Sequence, residues 1–291
     1  MSQAADLKAM KTIRPKTAKK TILMLLSYTA LSFLAFLMVM PFIIMIATAL
    51  KPENELFSNP GALLGSKLAW ENFTYAWNYI PFGRFFINSI FVSLTVTILE
   101  VLTSSLAAYA FARLRFPGRD LLFYLYLGTL MIPAQVTIVP QFILMNQFGW
   151  VDTYQALILP AAFTAFGTFL LRQFFLTIPF ELEESARIDG CSRFGTYFRI
   201  ILPLSKPALA TLGVFAFVTQ WNSFFWPLVI TSSDEMKVLS VGLKMFQGIY
   251  GTEWHLMMAA SAIVIIPSVI VFGVLQRYLV EGIQLTGMGG R

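Results

Sequence analysis

The chain has 291 residues, 57% of them hydrophobic and only 12% charged, against about 25% charged in a soluble domain. With a mean hydropathy of +0.70, that much apolar surface cannot be enclosed in one water-soluble core, so the chain reads as a membrane protein and an enzyme working in water is excluded. A single cysteine (Cys191) and a single histidine (His255) leave no internal disulfide, no thiolate cluster and no multi-histidine site, so no metal site is expected.

Residues 1–20 carry six Lys or Arg and form a basic arm. Thr21–Leu50 then runs 30 residues without a charge, and about 20 apolar residues cross a ~30 Å hydrocarbon layer. That run is about twice the length of a secretory h-region and lacks a small-residue cleavage site after it, so it is expected to remain as a span. The aromatic stretch 57–82 (Phe57, Trp70, Phe73, Trp77, Phe82) is expected along the membrane interface. Phe85–Ala112 is interrupted only by Glu100. Leu121–Leu171 is 51 residues with one charge, Asp152. It is too long for one crossing, and Gly149 and Trp150 beside Asp152 mark an interfacial turn that divides it in two. Pro207–Ser233 and Leu256–Gln276 are charge-free and complete six spans. The expected architecture is all-α: an arm over 1–20, a six-helix transmembrane domain over 21–276, and a tail over 277–291. Prolines 133, 140, 160 and 267 are expected to interrupt spans.

Sixteen of the 21 Lys and Arg lie in 1–20, 113–120, 172–206 and beyond Gln276; five lie in the intervening segments. The positive-inside rule then puts both termini in the cytoplasm. The same bias accounts for the net charge of +6, so the implied partner is membrane lipid and no nucleic acid is needed.

The loop 172–206 is the longest on the basic side. Pro179 suits the first turn of a helix, and Glu181, Glu183 and Glu184 offset the positive end of its dipole. Gly190 permits a left-handed stop. A second helix is expected to run to Leu202, with Pro203 introducing the next span. Glu184-Ser185-Ala186 is followed after three residues by Gly190 and, nine later, by Ile200-Ile201-Leu202-Pro203. This loop resembles the EAA loop of ABC-transporter permeases; six such fixed positions coincide by chance at roughly 10⁻⁷ per window. Only Ser185 departs, standing where the second Ala is usual.

The resemblance covers nearly the whole chain and narrows to carbohydrate-uptake permeases of the maltose and glycerol-phosphate type. Ala107–Arg113 with Phe116–Arg119, Met131–Pro133 with Pro140, and Asp152-Thr153 with Ala156–Pro160 carry it. Trp221-Asn222 with Trp226-Pro227, and Gln276-Arg277 before Gly282, carry it further. It implies a type I ABC importer transmembrane domain in a bacterial or archaeal cytoplasmic (inner) membrane. It also implies a second homologous permease, two ABC ATPase subunits and an extracytoplasmic sugar-binding protein as partners. By the same resemblance Glu184, Ser185, Ala186, Asp189 and Gly190 form the coupling contact with an ATPase. The small residues allow close approach, and Glu184 pairs with a basic group there. No Walker pattern exists here, since Gly61–Lys67 has the wrong spacing. The chain is therefore expected to be non-catalytic and without a cofactor, with ATP and Mg on the partner ATPase.

Within the spans, Glu100 stands on a stripe with Ser89, Ser93, Thr97, Ser104 and Ala108, which either packs against another helix or edges a substrate path. Gln135, Gln220, Trp221, Asn222 and Trp226 supply amides and aromatic faces of the kind a neutral sugar needs; each is equally suited to helix–helix bonding. In the outer loop before the last span, Tyr250, Glu253 and Trp254 are candidate contacts for the binding protein, and Trp254 is equally an interfacial anchor. His255 reads as a satisfied loop residue. An ion-coupled secondary transporter using Glu100 is the main alternative; a membrane enzyme ranks last, for want of a second catalytic group within reach of Glu100.

Overall fold

The computed structural model describes residues 15–59, 61–248 and 251–287, with side chains for those between 20 and 277. Most of the basic arm, the end of the tail and Tyr250 lie outside the described residues. Among the described residues every regular element is helical, apart from one isolated bridge between Gln247 and Thr252.

Helix α1 (Pro15–Ala49) is, over residues 21–49, apolar on all faces and almost wholly uncovered by the rest of the chain. Such a helix is stable only where its surroundings are as apolar as it is. After the short helix α2 (Glu71–Tyr79) comes α3 (Phe82–Arg113). Its 32 residues measure about 48 Å, more than a ~30 Å hydrocarbon layer requires. Then follow α4 (Arg119–Gly128), α5 (Ala134–Gln147) and α6 (Ala165–Thr177), the last preceded by a helical turn at Tyr154–Ile158. The 172–206 loop holds α7 (Glu181–Ile188) and α8 (Arg193–Leu204), the latter π-helical over Tyr197–Ile201. Helices α9 (Lys206–Trp221), α10 (Phe225–Ile230), α11 (Leu239–Lys244) and α12 (Trp254–Gly287) complete the chain.

Helix α3 is the axis. Helices α6 and α9 lie along it, and α12 packs on α9 and α1. At one end, Phe82, Phe85, Phe217, Trp221, Phe246 and Ala259 form an apolar cluster; at the other, Ala108, Leu171, Phe175, Tyr197 and Leu212 form a second.

Among the described residues, four segments are long and apolar enough to cross a membrane: Lys20–Ala49, Phe82–Arg113, Tyr154–Thr177 and Trp254–Arg277. The expected third and fifth spans differ. The third bends by 102° between Arg119–Met131 and Ala134–Gln147. Pro133 drives Ile132 to an extended conformation, ψ 115°. The fifth ends at Trp221 instead of Ser233, and α9 meets α8 at 77°. If each bent pair is one crossing the number is six; continuous helices alone give four. Pro140 and Pro267, expected as interruptions, lie inside continuous helices.

Hydrocarbon gives helices no hydrophobic reason to associate, so close packing of small residues must do it. A Cβ built on Gly167 of α6 would stand 2.4 Å from Ser104 Oγ of α3. We therefore expect Gly167→Leu to destabilise the chain by about 1–3 kcal/mol, seen as earlier thermal unfolding in detergent. Gly273→Leu, where a Cβ meets nothing within 4 Å, should melt with the wild type.

Candidate functional site

The loop 172–206 folds as its residues dictate. Glu181, Glu183 and Glu184 occupy the first turn of α7, and the helix closes on a glycine. Gly190 adopts φ +79°. Its N–H bonds Arg187 O (3.0 Å) and the Cys191 N–H bonds Ala186 O (2.8 Å), the paired pattern of a left-handed stop. Ser192 then caps α8 by accepting from Gly195 N at 3.1 Å.

What fixes this helix to the bundle is a charge the motif does not include. Glu183 is fully buried, with Arg113 Nε, from the last turn of α3, 2.9 Å from its Oε1. The Nε is not aligned for a hydrogen bond, so the attachment is ionic. Arg113 also donates to the carbonyls of Phe175 and, at 2.6 Å, Ile178, at the end of α6. Its guanidinium and that of Arg187 each stand 5.7 Å from the Phe180 ring. Burial pushes the Glu183 carboxyl above its ordinary value, although Arg113 and Arg187 both favour the ionised form. One turn back on α3, Tyr109 OH donates to Arg193 O (3.3 Å), and Ser105 Oγ shares a 2.6 Å bond with Tyr197 OH. Both helices of the loop are thus fastened to the end of α3.

The expected contact residues divide. Glu184, Ser185, Asp189 and Gly190 are exposed; Ala186 is buried against its own chain and unavailable to a partner. Leu182 and Ile188, 43% and 86% exposed, complete the outward face with them. Glu183 and Arg113 were not anticipated. The signal was their spacing: Glu183 stands three residues before Ala186, on the inward face.

The intramembrane candidates do not converge. Glu100 is buried between α3 and α6, accepting from Thr164 Oγ1 at 2.8 Å, and Ser89, Ser93, Ser104 and Ala108 of its stripe are buried too. Trp221 is buried, donating to Val264 O (3.0 Å) and stacked on Phe217; Trp226 donates to Ala156 O (2.8 Å). Asn222 bonds its own helix at Val218 O, and Gln135 is exposed. At the opposite end from α7, Trp254 is 41% exposed and Glu253 half-buried. His255, expected to be satisfied, is buried with Nδ1 lacking a hydrogen-bond partner.

Residues 100–284 match the family described as binding-protein-dependent transport system inner membrane component. The chain belongs to this family. It is 37% identical to the arabinooligosaccharides transport system permease protein AraQ of Halalkalibacterium halodurans, over 89% of this chain and 94% of that one. It is 36% identical to the sn-glycerol-3-phosphate transport system permease protein UgpE of Yersinia pestis, over 85% and 91%. In fold it matches a chain of a bacterial ABC transporter involved in the import of the acidic polysaccharide alginate. The TM-score there is 0.80 at 22% identity, covering 92% of this chain and 99% of that one. A second alginate transporter structure, in complex with a pentasaccharide-bound periplasmic protein, matches at 0.67 and 15% identity, over 90% and 96%. The helical importer-permease architecture expected from the loop is the fold observed.

Removing one partner of a buried ion pair costs about 3–5 kcal/mol, whereas replacing both by apolar groups is often neutral. Arg113→Met should therefore lower the unfolding temperature sharply, and Arg113→Met with Glu183→Leu should recover most of the loss. A further outcome concerns pH. Arg113 offsets only part of the desolvation of the Glu183 carboxylate, so the folded chain holds that proton more tightly than the unfolded one, and stability falls as pH rises from the ordinary carboxyl value of 4.5 through the raised one. Melting curves of Glu183→Gln should fall less than the wild type's over that interval.

Proposed function

We propose that the chain is the permease subunit of an ATP-driven importer that carries a sugar or oligosaccharide across the cytoplasmic membrane. It is multi-pass, with both termini inside and no catalysis of its own. In this reading α7 is the coupling helix. It docks on a separate ATPase subunit through Leu182, Glu184, Ser185, Ile188 and Asp189, and Gly190 sets the angle to α8. ATP and Mg are bound by two copies of that ATPase. A second, homologous permease covers faces that this chain leaves open, and an extracytoplasmic sugar-binding protein delivers the substrate near Trp254 and Glu253. The observation that carries the proposal is the construction of α7: an exposed outer face, rooted by a buried ion pair to α3, the helix on which the others pack. The names of the relatives, which concern arabino-oligosaccharides and sn-glycerol-3-phosphate, support the substrate class.

Glu100 in this reading is a helix–helix anchor beside the path, so Glu100→Gln, which still accepts from Thr164, should assemble with the ATPase and alter transport only. The bend is the more direct test. A side chain at Gly190 meets nothing within 4 Å, so within this chain a substitution there acts through its backbone. Gly190→Val, which resists positive φ, should assemble with its ATPase yet lose ATP-dependent sugar uptake into proteoliposomes. Gly190→Asn, which tolerates positive φ, should keep it. Uptake that ignores ATP and collapses with an ion gradient would favour the secondary-transporter alternative.

A further inference from the structure

At the end of the bundle opposite α7, three metal-ligating side chains converge from distant parts of the chain. Glu53 follows α1, while Glu253 and His255 flank the start of α12. One ligand atom from each lies within 4.8 Å of the other two, and His255 Nδ1 is 4.0 Å from Glu253 Oε2. The His255 side chain is 8% exposed, and its Nδ1 is buried with no hydrogen-bond partner among the described residues. A buried polar atom left unpaired costs about 1–3 kcal/mol. Among the described residues, neither Glu53 nor Glu253 has a Lys or Arg ion-pair partner. Two carboxylates this close repel each other. A cation between them and the ring nitrogen would relieve the repulsion and the unpaired atom together.

We propose that Glu53, Glu253 and His255 form a binding site for a divalent transition-metal ion, with zinc the ion that fits. Zinc accepts imidazole nitrogen and carboxylate oxygen together at about 2.0–2.2 Å, and three protein ligands leave its fourth position for water. Magnesium and calcium select all-oxygen sets, whereas an imidazole favours zinc and its transition-metal neighbours. Ligand atoms around zinc stand about 3.4 Å apart in tetrahedral geometry, so the three need only a modest closure. The nitrogen is fixed by burial, and the two carboxylates, one exposed and one half-buried, can turn onto it. The bound ion would clip the end of α1 to the start of α12, beside the exposed Trp254. The composition led to the expectation of no metal site, but a single histidine rules out only a multi-histidine one; it can still be completed by carboxylates from the far end of the sequence. This inference does not rest on the transport reading.

The test is equilibrium dialysis of the full chain, purified in detergent without a polyhistidine tag, stripped with chelator and titrated with zinc chloride. Metal is counted by mass spectrometry, and folding is checked by circular dichroism. About one zinc per chain is expected, undisturbed by excess magnesium. His255→Gln should abolish it, and Glu53→Gln and Glu253→Gln should each weaken it about tenfold or more, since even outer-shell changes reach that size. Glu53 is exposed, so its variant keeps the test informative should His255→Gln fail to fold. A wild type that retains no zinc, or a Glu53→Gln/Glu253→Gln double variant that binds it unchanged, would overturn the assignment.

Discussion

A charge at the end of an apolar helix governs how this molecule is arranged. Arg113 closes α3 where a cation suits the helix dipole, and it reaches three things at once: the last carbonyls of α6, the Phe180 ring and the buried Glu183 carboxylate. A carboxylate so enclosed would be untenable alone, because desolvating an ion is offset only by a close counter-charge. The pair therefore fixes where α7 sits. Tyr109 and Ser105, on the same helix, hold α8. A push on α7 cannot be absorbed locally; it must move α3 or separate two buried charges, and α3 runs the full depth of the bundle.

The other end is tied by backbone-directed polar groups instead of an ion pair. Asn88 Nδ2 donates to Glu235 O and Lys237 O, and Asn72 Nδ2 to Ala49 O and Lys51 O. Asp152 adopts φ +58°, where Asp is among the few tolerated residues. Burial works against its ionised form, but donors from Ser233 and Ser232 outweigh it and hold the carboxyl below its ordinary value. These contacts fix loops without charging the interior. Between the two ends α3, α6 and α9 meet through small and hydroxyl-bearing residues, as a hydrocarbon solvent requires, and α1 keeps its apolar faces outward.

Much of this was legible in the sequence, because hydrocarbon imposes length and charge rules that survive without coordinates. The long spans at 20–49, 82–113 and 254–277, the turn at Gly149–Asp152, and the helix–glycine–helix of the loop follow from charge-free runs and turn chemistry. The bend at Pro133 and the early end of α9 do not, since hydropathy counts apolar residues and is blind to direction. In the loop, four of the five motif residues lie on the outward side of the turn, whereas the helix turns Ala186 inward. Glu183 escaped because its partner, Arg113, lies 70 positions earlier in the numbering, and pairing at that range is set by tertiary packing. The cluster of Glu53, Glu253 and His255 escaped for the same reason.

The central claim is that α7 presents its outer face to an ATPase while its inner face is held by α3. The most direct measurement is photo-crosslinking in native membranes from a benzophenone amino acid placed at Ile188, which is 86% exposed. The account predicts an adduct with an ATP-binding subunit, and none from the same probe at Phe57, at the opposite end and 77% exposed. Adducts only with lipid from position 188, or an ATPase adduct from position 57, would contradict it.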